Sequence, residues 1–290
     1  MKVTKAVIPA AGMGTRVLPA TKAVPKEMLP IIDKPAIQFL VEEAVAAGIT
    51  DILIITGRGK QAIEDHFDKA PELEKKLKDG NKTALLESVT KPTELANITF
   101  IRQKEALGLG HAIYCAKNFA AGEPIAVLYG DDVIIGENSA TKELVDAFEK
   151  YGKGVAGIKE VKKEDISKYS SLEVKKLEDR IFEISDMIEK PEKGKEMSLY
   201  SILGRCVLTP EIFEVLKDLP AGAGGEIQLT DAMNVLTKRD GMIGVEYTGK
   251  RYDMGNKNGI LEAVVDVALE HAEVKEEFKA YLKNKIKELD

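Results

Sequence analysis

The sequence has no tryptophan, only two cysteines and only three histidines among 290 residues. Cys115 and Cys206 are far apart and lack CxxC spacing, so we expect reduced thiols in a cytoplasmic protein rather than a disulfide framework. The histidines are scattered along the chain, which argues against a zinc cluster. Disulfide-stabilised and zinc-dependent folds are therefore not expected.

Long apolar runs and positive net charge are also lacking. No run approaches the roughly eighteen residues of a membrane span, and the N-terminus has no apolar signal region. The net charge of −6 argues against a general nucleic-acid partner. Hydrophobic residues make up 44% of the chain, enough for a large core. Because the net charge is negative, any positive charge that binds an anion must be concentrated in one part of the chain.

Strand-like and helix-like segments alternate in the first half of the chain. Short apolar runs at 51–56, 97–101, 124–129 and 154–159 are typical of strands covered on both faces. Helical spacing is found at 36–47 and 139–149 between them, and Ser139 is the expected N-cap of the second helix. This order predicts an α/β fold with a central, mostly parallel mixed sheet flanked by helices. Segments 172–176 and 180–188 predict a small antiparallel addition, and no linker divides residues 1–290, so we expect one domain.

The C-terminal region has apolar residues at helical spacing from Leu261 to Ala272. This pattern predicts a helix packed on the core. A second, highly charged helix with an apolar stripe should follow, ending near Leu289, and it could contact a partner chain.

Residues 10–30, AAGMGTRVLPATKAVPKEMLP, are the most informative stretch. They follow a short apolar run, and Gly12 and Gly14 predict a tight turn with exposed N–H groups, for which we expect positive φ at Gly12. Arg16, Lys22 and Lys26 add positive charge close behind. Exposed amides and cations together favour a polyanion site, most simply for a nucleoside triphosphate.

A dinucleotide-binding turn is the main rival interpretation. It requires a third small residue and an uninterrupted crossover helix. Here Val17 occupies the small position, and Pro19, Pro25 and Pro30 interrupt the following segment. The residues that follow the two glycines therefore exclude a dinucleotide-binding turn.

Asp131 and Asp132 follow the apolar run 125–129 with Gly130 between. Open α/β sheets bind ligands at the carboxyl ends of their strands, and a Mg²⁺ ion on phosphates needs one or two carboxylates. The pair is therefore either a metal site or a strand-ending helix cap.

The glycine turn and five later segments together resemble the bacterial UTP–glucose-1-phosphate uridylyltransferases. These segments are LGLGHA at 107–112, LYGDD at 128–132, EKP at 189–191, GAGGEIQLTDA at 222–232 and DMGNKNG at 253–259. The resemblance implies a Rossmann-like nucleotidyltransferase fold. It also implies Mg²⁺, the substrates UTP and glucose 1-phosphate, the products UDP-glucose and pyrophosphate, and a homodimer or homotetramer. The nucleotide-binding part would be about 1–135, the sugar-binding part about 136–255 and the C-terminal helices about 256–290.

The resemblance also implies residue roles. Arg16, Lys26 and Asp131 would be catalytic, and Asp131 and Asp253 would hold the metal. The nucleotide would contact Ala10, Ala11, Gly12, Gly14, Thr15, Arg16, Lys26, Gln103, Gly108, Gly130 and Asp131, with the Gln103 amide on the uracil edge. The sugar phosphate would contact Glu189, Lys190, Gly204 and Glu226. Glu189 and Lys190 can face one ligand only if the chain bends between them.

One position departs from the family pattern. Where a Tyr-Gly pair is common, this chain has Tyr169-Ser170-Ser171, and Ser170 adds a side chain beside the expected sugar site. The choice of sugar is thus less firmly implied than the nucleotide chemistry. A related enzyme that uses dTTP is one alternative, and an inactive nucleotide-sugar-binding regulatory protein is another. The presence of Lys26, Asp131 and Asp253 argues against the regulatory protein.

Overall fold

A computed structural model describes residues 1–288, so Leu289 and Asp290, at the end of the predicted C-terminal region, lie outside the described residues. The strands are, in chain order, β1 (Lys5–Ala10), β2 (Pro30–Ile31), β3 (Lys34–Pro35), β4 (Asp51–Thr56), β5 (Asn97–Arg102), β6 (Ile125–Leu128), β7 (Asp132–Ile135), β8 (Gly154–Glu160), β9 (Ser170–Glu178), β10 (Ile181–Glu189), β11 (Tyr200–Leu208), β12 (Met242–Val245) and β13 (Lys250–Asp253). The helices are α1 (Ala36–Ala46), α2 (Gln61–Phe67), α3 (Pro71–Asp79), α4 (Thr83–Glu94), α5 (Leu109–Tyr114), α6 (Lys117–Ala120), α7 (Ala140–Tyr151), α8 (Ile212–Asp218), α9 (Leu229–Asp240), α10 (Lys257–Glu270) and α11 (Lys275–Lys287).

A nine-stranded mixed sheet organises the molecule, with the order β5-β4-β1-β6-β11-β8-β12-β10-β9. The strands β5, β4, β1 and β6 are mutually parallel, whereas β10 and β11 run against their neighbours. Two further two-stranded sheets pair β13 with β7 and β2 with β3, both antiparallel. The predicted mostly parallel sheet with an antiparallel addition is confirmed.

Helices cover both faces of the sheet because its central strands are apolar on both sides. Along β4, Ile52 and Ile54 belong to one buried cluster, while Leu53 and Ile55 belong to the other. This alternation follows from the two-residue period of a strand. The two clusters form the cores above and below the sheet.

Helix α7 shows how local sequence sets an element's bounds. The Ser139 hydroxyl accepts a hydrogen bond from the Lys142 amide at its N-terminus. Gly152 ends the helix in the left-handed conformation, with φ 65°. The predicted cap and helix are confirmed, and the helix extends two residues further than the predicted segment.

The C-terminal helix α10 forms as predicted, but it buries the predicted face only in part. Its buried residues are the small Ala263 and Ala268, while Leu261 is 63% exposed. Ile260 and Val267 are partly buried and pack against the core as well, so the helix lies close to the molecule with part of its larger apolar surface covered. None of the helices within residues 1–288 is long and apolar enough to cross a membrane.

The parallel strands β5, β4, β1 and β6 end at one edge of the sheet. Gln103 follows β5, Ala11 follows β1, and Asp131 lies three residues beyond β6. Parallel neighbours place these chain ends side by side. The fold thereby brings together residues that are 120 positions apart.

Candidate active site

The turn after β1 depends on Gly14 for its conformation. Gly14 has φ 66°, and a Cβ there would lie 3.2 Å from Thr21 Cγ2 and 3.3 Å from Lys26 Cβ. The Thr21 hydroxyl donates to the Gly14 carbonyl at 2.7 Å and closes the turn. Gly12 differs, because its φ is not positive and a Cβ would meet the Lys26 ammonium at an ordinary 3.6 Å. The expectation of positive φ at Gly12 is therefore wrong.

The segment after β6 packs closely against β1. A Cβ on Gly130 would lie 2.5 Å from the Pro9 carbonyl oxygen, so only glycine fits there. The Tyr129 amide donates to the Gly204 carbonyl at 2.9 Å, and the Asp132 amide donates to the Tyr129 carbonyl at 2.9 Å. This tight turn fixes the backbone on both sides of Asp131.

Two cations meet two carboxylates beside the glycine turn. Lys26 Nζ lies 2.6 Å from Asp131 Oδ2. The exposed Arg16 guanidinium lies 3.7 Å from Asp131 and 3.4 Å from Asp253. Gly255 lets these groups approach, because a Cβ there would lie 2.9 Å from Asp131 Oδ2 and 2.8 Å from Asp253 Oδ1. Four charged residues that are distant in sequence thus form one cluster.

The charges in this cluster stabilise one another. Burial by itself raises the pKa of Asp131, but Lys26 and Arg16 outweigh it and bring the pKa below its usual value. Burial likewise lowers the pKa of Lys26, and Asp131 more than offsets this, so the pKa of Lys26 is raised. Both groups are therefore ionised at neutral pH.

Two cavities meet at Asp131. The first has a volume of about 310 Å³ and lies between the glycine turn, the loop after β5 and the start of α5. Its lining includes Ala11, Gly12, Lys26, Gln103, Gly108, Gly130 and Glu226. The second has a volume of about 490 Å³ and extends from Arg16 and Asp253 to the end of β10. Leu109, Tyr129 and Asp131 line both cavities.

The far end of the second cavity is formed where β10 ends. The backbone bends at Lys190, which has φ 48°, and both Glu189 and Lys190 line the cavity. Glu189 Oε2 accepts a hydrogen bond from the Thr230 hydroxyl at 2.7 Å. Burial raises the pKa of Glu189 above its usual value, although the bond from Thr230 opposes this shift. The predicted bend between the two residues is present.

Some predicted site residues stand behind these cavities instead of lining them. Ala10, Gly14, Thr15 and Gly204 are not lining residues of either cavity within the described part of the chain. Gly204 has φ 77°, and a Cβ there would lie 2.7 Å from Asp132 Oδ2, so its absent side chain makes room for Asp132. Glu226, expected with the sugar phosphate, lines the first cavity rather than the second.

Ser170 occupies the position that departs from the family pattern. It is 3% exposed and borders the second cavity. Its hydroxyl lies 3.1 Å from the Ser201 hydroxyl and accepts from the Ile202 amide at 3.1 Å. The hydroxyl is therefore engaged with β11, and the additional side chain links two strands.

Arg251 lines the second cavity, although no sequence pattern indicated it as a site residue. Its Nη2 lies 2.6 Å from Asp132 Oδ1, and its guanidinium lies over the Tyr169 ring at 5.5 Å. Burial raises the pKa of Asp132 to about 6, and Arg251 opposes that shift. The pairing of β13 with β7 brings these residues together. Such long-range pairing leaves no local signal in the sequence.

A second ion pair, formed by Arg205 and Glu43, lies beneath the cavities. It was also not predicted from the sequence. Arg205 is 1% exposed and makes hydrogen bonds to both carboxylate oxygens of Glu43, at 2.9 and 2.6 Å. Its remaining N–H groups donate to the Gly204 carbonyl at 2.8 Å and the Asp132 carbonyl at 2.9 Å. Arg205 thereby fixes the backbone at two positions that border the site.

The fold and site define a class of protein. The family model described as nucleotidyl transferase matches residues 5–270. Among curated proteins, the UTP–glucose-1-phosphate uridylyltransferase of Bacillus subtilis (strain 168) is 49% identical over 281 residues, covering 97% of this chain and 96% of the relative. UTP–glucose-1-phosphate uridylyltransferase 2 of Staphylococcus saprophyticus is 50% identical over 282 residues, covering 97% of this chain and 98% of the relative.

Solved structures agree with this class. A UDP-glucose pyrophosphorylase complexed with UDP-glucose superposes with TM-score 0.85 at 40% identity, covering 93% of this chain and 100% of that one. A UTP-bound enzyme of the same kind from Acinetobacter baumannii gives TM-score 0.90 at 35% identity, covering 97% and 98%. The chain belongs to the nucleotidyl transferase family, and within it to the UTP–glucose-1-phosphate uridylyltransferases. The resemblance and the fold class predicted from the sequence are both confirmed.

Proposed function

We propose that this protein joins UTP and glucose 1-phosphate to give UDP-glucose and pyrophosphate. One observation carries the proposal: Asp131, paired with Lys26 at 2.6 Å, lies where two cavities meet. A transfer to the α-phosphate needs a nucleotide on one side of this point and a sugar phosphate on the other. The membership of the uridylyltransferase family supports the same assignment.

The first cavity is assigned to the nucleotide. Gly12 and Lys26 at one end suit phosphates, because the backbone is open and the ammonium is close by. Gln103 and Gly108 at the other end suit the base. Arg16, at the cluster with Asp131 and Asp253, would hold phosphate oxygens through its planar fork.

The second cavity is assigned to the sugar phosphate. The Glu189 carboxylate can accept hydrogen bonds from sugar hydroxyls, and Thr230 orients that carboxylate. Lys190 at the bend can bind the phosphate. Arg251, Arg16 and Lys168 add further positive charge in the same cavity. The division into a nucleotide-binding part before about residue 135 and a sugar-binding part up to about 255 stays a prediction. Glu226 does not fit this division, because it belongs to the second part in sequence but lines the first cavity.

Mg²⁺ fits the donor set at the cluster. Within residues 1–288 there is no group of three or more acidic, histidine or cysteine side chains that could hold a metal. Asp131 and Asp253 are two carboxylates on either side of Arg16, which suits an ion that takes one or two carboxylates and completes its shell with phosphate oxygens and water. When bound, such an ion would neutralise charge on the phosphates.

The chain's residues then act by position and charge. Lys26 and Arg16 stabilise negative charge on the α-phosphate and the departing pyrophosphate. Glu189 and Lys190 hold the sugar phosphate so that its oxygen faces the α-phosphorus in line with the leaving group. The oxygen–phosphorus bond forms as the bond to pyrophosphate breaks, and no covalent enzyme intermediate is needed.

Assembly and location are finer proposals. We propose a cytoplasmic homodimer or homotetramer that uses the C-terminal helices. Support comes from Leu261, Tyr281 and Ile286, which are 63%, 57% and 57% exposed on these helices, and from the free thiols of Cys115 and Cys206. Light scattering with chromatography measures the mass, and a monomer would refute the assembly.

Turnover with a matrix of substrates tests the function. UTP and dTTP are each paired with glucose 1-phosphate, galactose 1-phosphate and other sugar phosphates, and pyrophosphate release is measured. The proposal predicts the highest kcat/KM for UTP with glucose 1-phosphate. Glu189→Gln should reduce the preference for glucose over galactose 1-phosphate. A preference for dTTP would establish the thymidylyl alternative, and no turnover with any pair would favour the regulatory protein.

A further inference from the structure

The amide group of Gln103 is held from two sides by the loop and helix that follow β5. Gln103 is 9% exposed, and its Nε2 lies 3.1 Å from the Gly108 carbonyl oxygen and 3.0 Å from His111 Nδ1. His111 stands in the first turn of α5, whose start is fixed by a hydrogen bond from the Gly110 amide to the Ile227 carbonyl at 2.8 Å. Two separate groups therefore meet one end of the Gln103 amide.

These contacts determine which end of the amide faces the cavity. A carbonyl oxygen can only accept, so the atom beside Gly108 O is the NH₂ of Gln103. Its second proton points to His111 Nδ1, which must then be the acceptor, with the imidazole proton on Nε2. Both NH₂ protons are engaged, and Gln103 Oε1 remains for a ligand in the first cavity, which Gln103 lines.

An outward-facing oxygen distinguishes pyrimidine bases. The N3 position of uracil carries a proton, whereas N3 of cytosine is an acceptor. Gln103 Oε1 in this orientation can accept a hydrogen bond from uracil N3–H, whereas with cytosine it would face an unprotonated nitrogen. If the amide turned over, its NH₂ would face the base and the preference for uracil over cytosine would be lost. The NH₂ and uracil N3–H are both donors, and buried polar groups left unpaired are costly.

We propose that His111 is a positioning residue that sets uracil-over-cytosine selectivity by holding the Gln103 amide in this orientation. The inference rests on the proposed function, which places a uridine nucleotide in the first cavity. Gly108 O secures one amide proton, and His111 Nδ1 secures the other. His111 acts through Gln103 rather than on the reacting atoms.

Three variants test the proposal. His111→Leu removes the acceptor, whereas His111→Asn offers a side-chain oxygen close to the place of Nδ1. The ratio of kcat/KM for UTP to that for CTP should fall about five- to tenfold in His111→Leu, the scale of one lost hydrogen bond, with the loss mainly in KM for UTP. His111→Asn should recover most of the ratio. In a Gln103→Ala background, His111→Leu should change the ratio no further.

Other outcomes separate the two proposals. If the wild-type protein does not turn over UTP with glucose 1-phosphate, the proposed function fails. If it does, but His111→Leu keeps the wild-type ratio, the inference about His111 fails and the function stands. Two further results would overturn the inference about His111. One is a UTP-to-CTP ratio that falls equally in His111→Leu and His111→Asn. The other is a further fall of that ratio when His111→Leu is added to Gln103→Ala. Nitrogen NMR gives a direct check, since His111 Nδ1 should be unprotonated in the wild-type protein.

Discussion

Breaking the buried Arg205–Glu43 pair should destabilise the fold and loosen the site together. The guanidinium is 1% exposed, and it binds Glu43 with two hydrogen bonds. Burial alone would lower the pKa of Arg205, but Glu43 outweighs burial and raises it, so the cation is retained. Arg205→Met leaves the Glu43 carboxylate buried without a counter-charge. Removing one partner of such a pair costs about 3–5 kcal/mol.

The loss of stability in the double variant, Glu43→Gln with Arg205→Met, should be smaller than the sum of the losses in the two single variants. Glu43 Oε1 also accepts from the Thr141 amide at 3.0 Å and from the Thr141 hydroxyl at 2.7 Å, and the amide oxygen of Glu43→Gln in that place can keep both bonds. Each single variant leaves an unpaired charge, whereas Glu43→Gln with Arg205→Met leaves none. The double variant still loses the bonds to the Gly204 and Asp132 carbonyls, which are worth about 1 kcal/mol each. We expect a loss of about 2–3 kcal/mol for it.

Thermal unfolding followed by circular dichroism measures these differences, because the chain has no tryptophan to report by fluorescence. With about 2–4 °C per kcal/mol for a chain near this size, each single variant should melt about 6–20 °C lower, and the double variant should melt above both. Below its melting temperature, Arg205→Met should show a raised KM for glucose 1-phosphate, because Gly204 and Asp132 lose their anchor. A single variant within about 2 °C of wild type, or strictly additive losses, would refute the reasoning.

Three further predictions follow from the site and its surroundings. Asp131→Asn should lower kcat by about two to three orders of magnitude, the scale of a lost electrostatic contact, and near-normal turnover at saturating Mg²⁺ would contradict this. Lys190→Ala should raise KM for every sugar phosphate about equally while UTP binding by calorimetry survives, and the reverse pattern would exchange the two cavity assignments. The thiol of Cys206 is 1% exposed and its pKa is raised by burial, so it should react with a disulfide reagent only after unfolding; Cys115, half-buried, should react slowly in the folded protein, and Cys115→Ser should abolish that reaction.

The sequence revealed those parts of the fold that depend on local pattern. Strand β4 was predicted to the residue, and the Ser139 cap lies where predicted, because apolar runs and capping residues act over a few positions. The face that α10 buries was predicted only in part. The apolar spacing included both Leu261 and Ala268, whereas the structure buries Ala268 together with Ala263 and leaves Leu261 exposed. Local periodicity cannot reveal which side chain size the neighbouring element permits.

The site divides in the same way. The glycine turn and the residues after β6 stood out because glycines and charges cluster in the sequence there. Arg251 and Arg205 did not, because their partners Asp132 and Glu43 become neighbours only through strand pairing and helix packing across the sheet. Gly204 was expected at the sugar phosphate, and the sequence did not reveal that its missing side chain makes room for Asp132.

The charges around Asp131 constrain how the site can accept a triphosphate. In this structure Lys26 is satisfied by Asp131 at 2.6 Å, and Arg16 is shared between Asp131 and Asp253. A triphosphate that reaches Lys26 must compete with that carboxylate, and leaving Asp131 without a cation would be costly because its surroundings are largely buried. A divalent ion held by Asp131 and Asp253 would supply the missing positive charge, and the Lys26 ammonium could then bind phosphate oxygens. The ion pair between Lys26 and Asp131 would thus favour joint binding of nucleotide and metal over binding of the nucleotide alone.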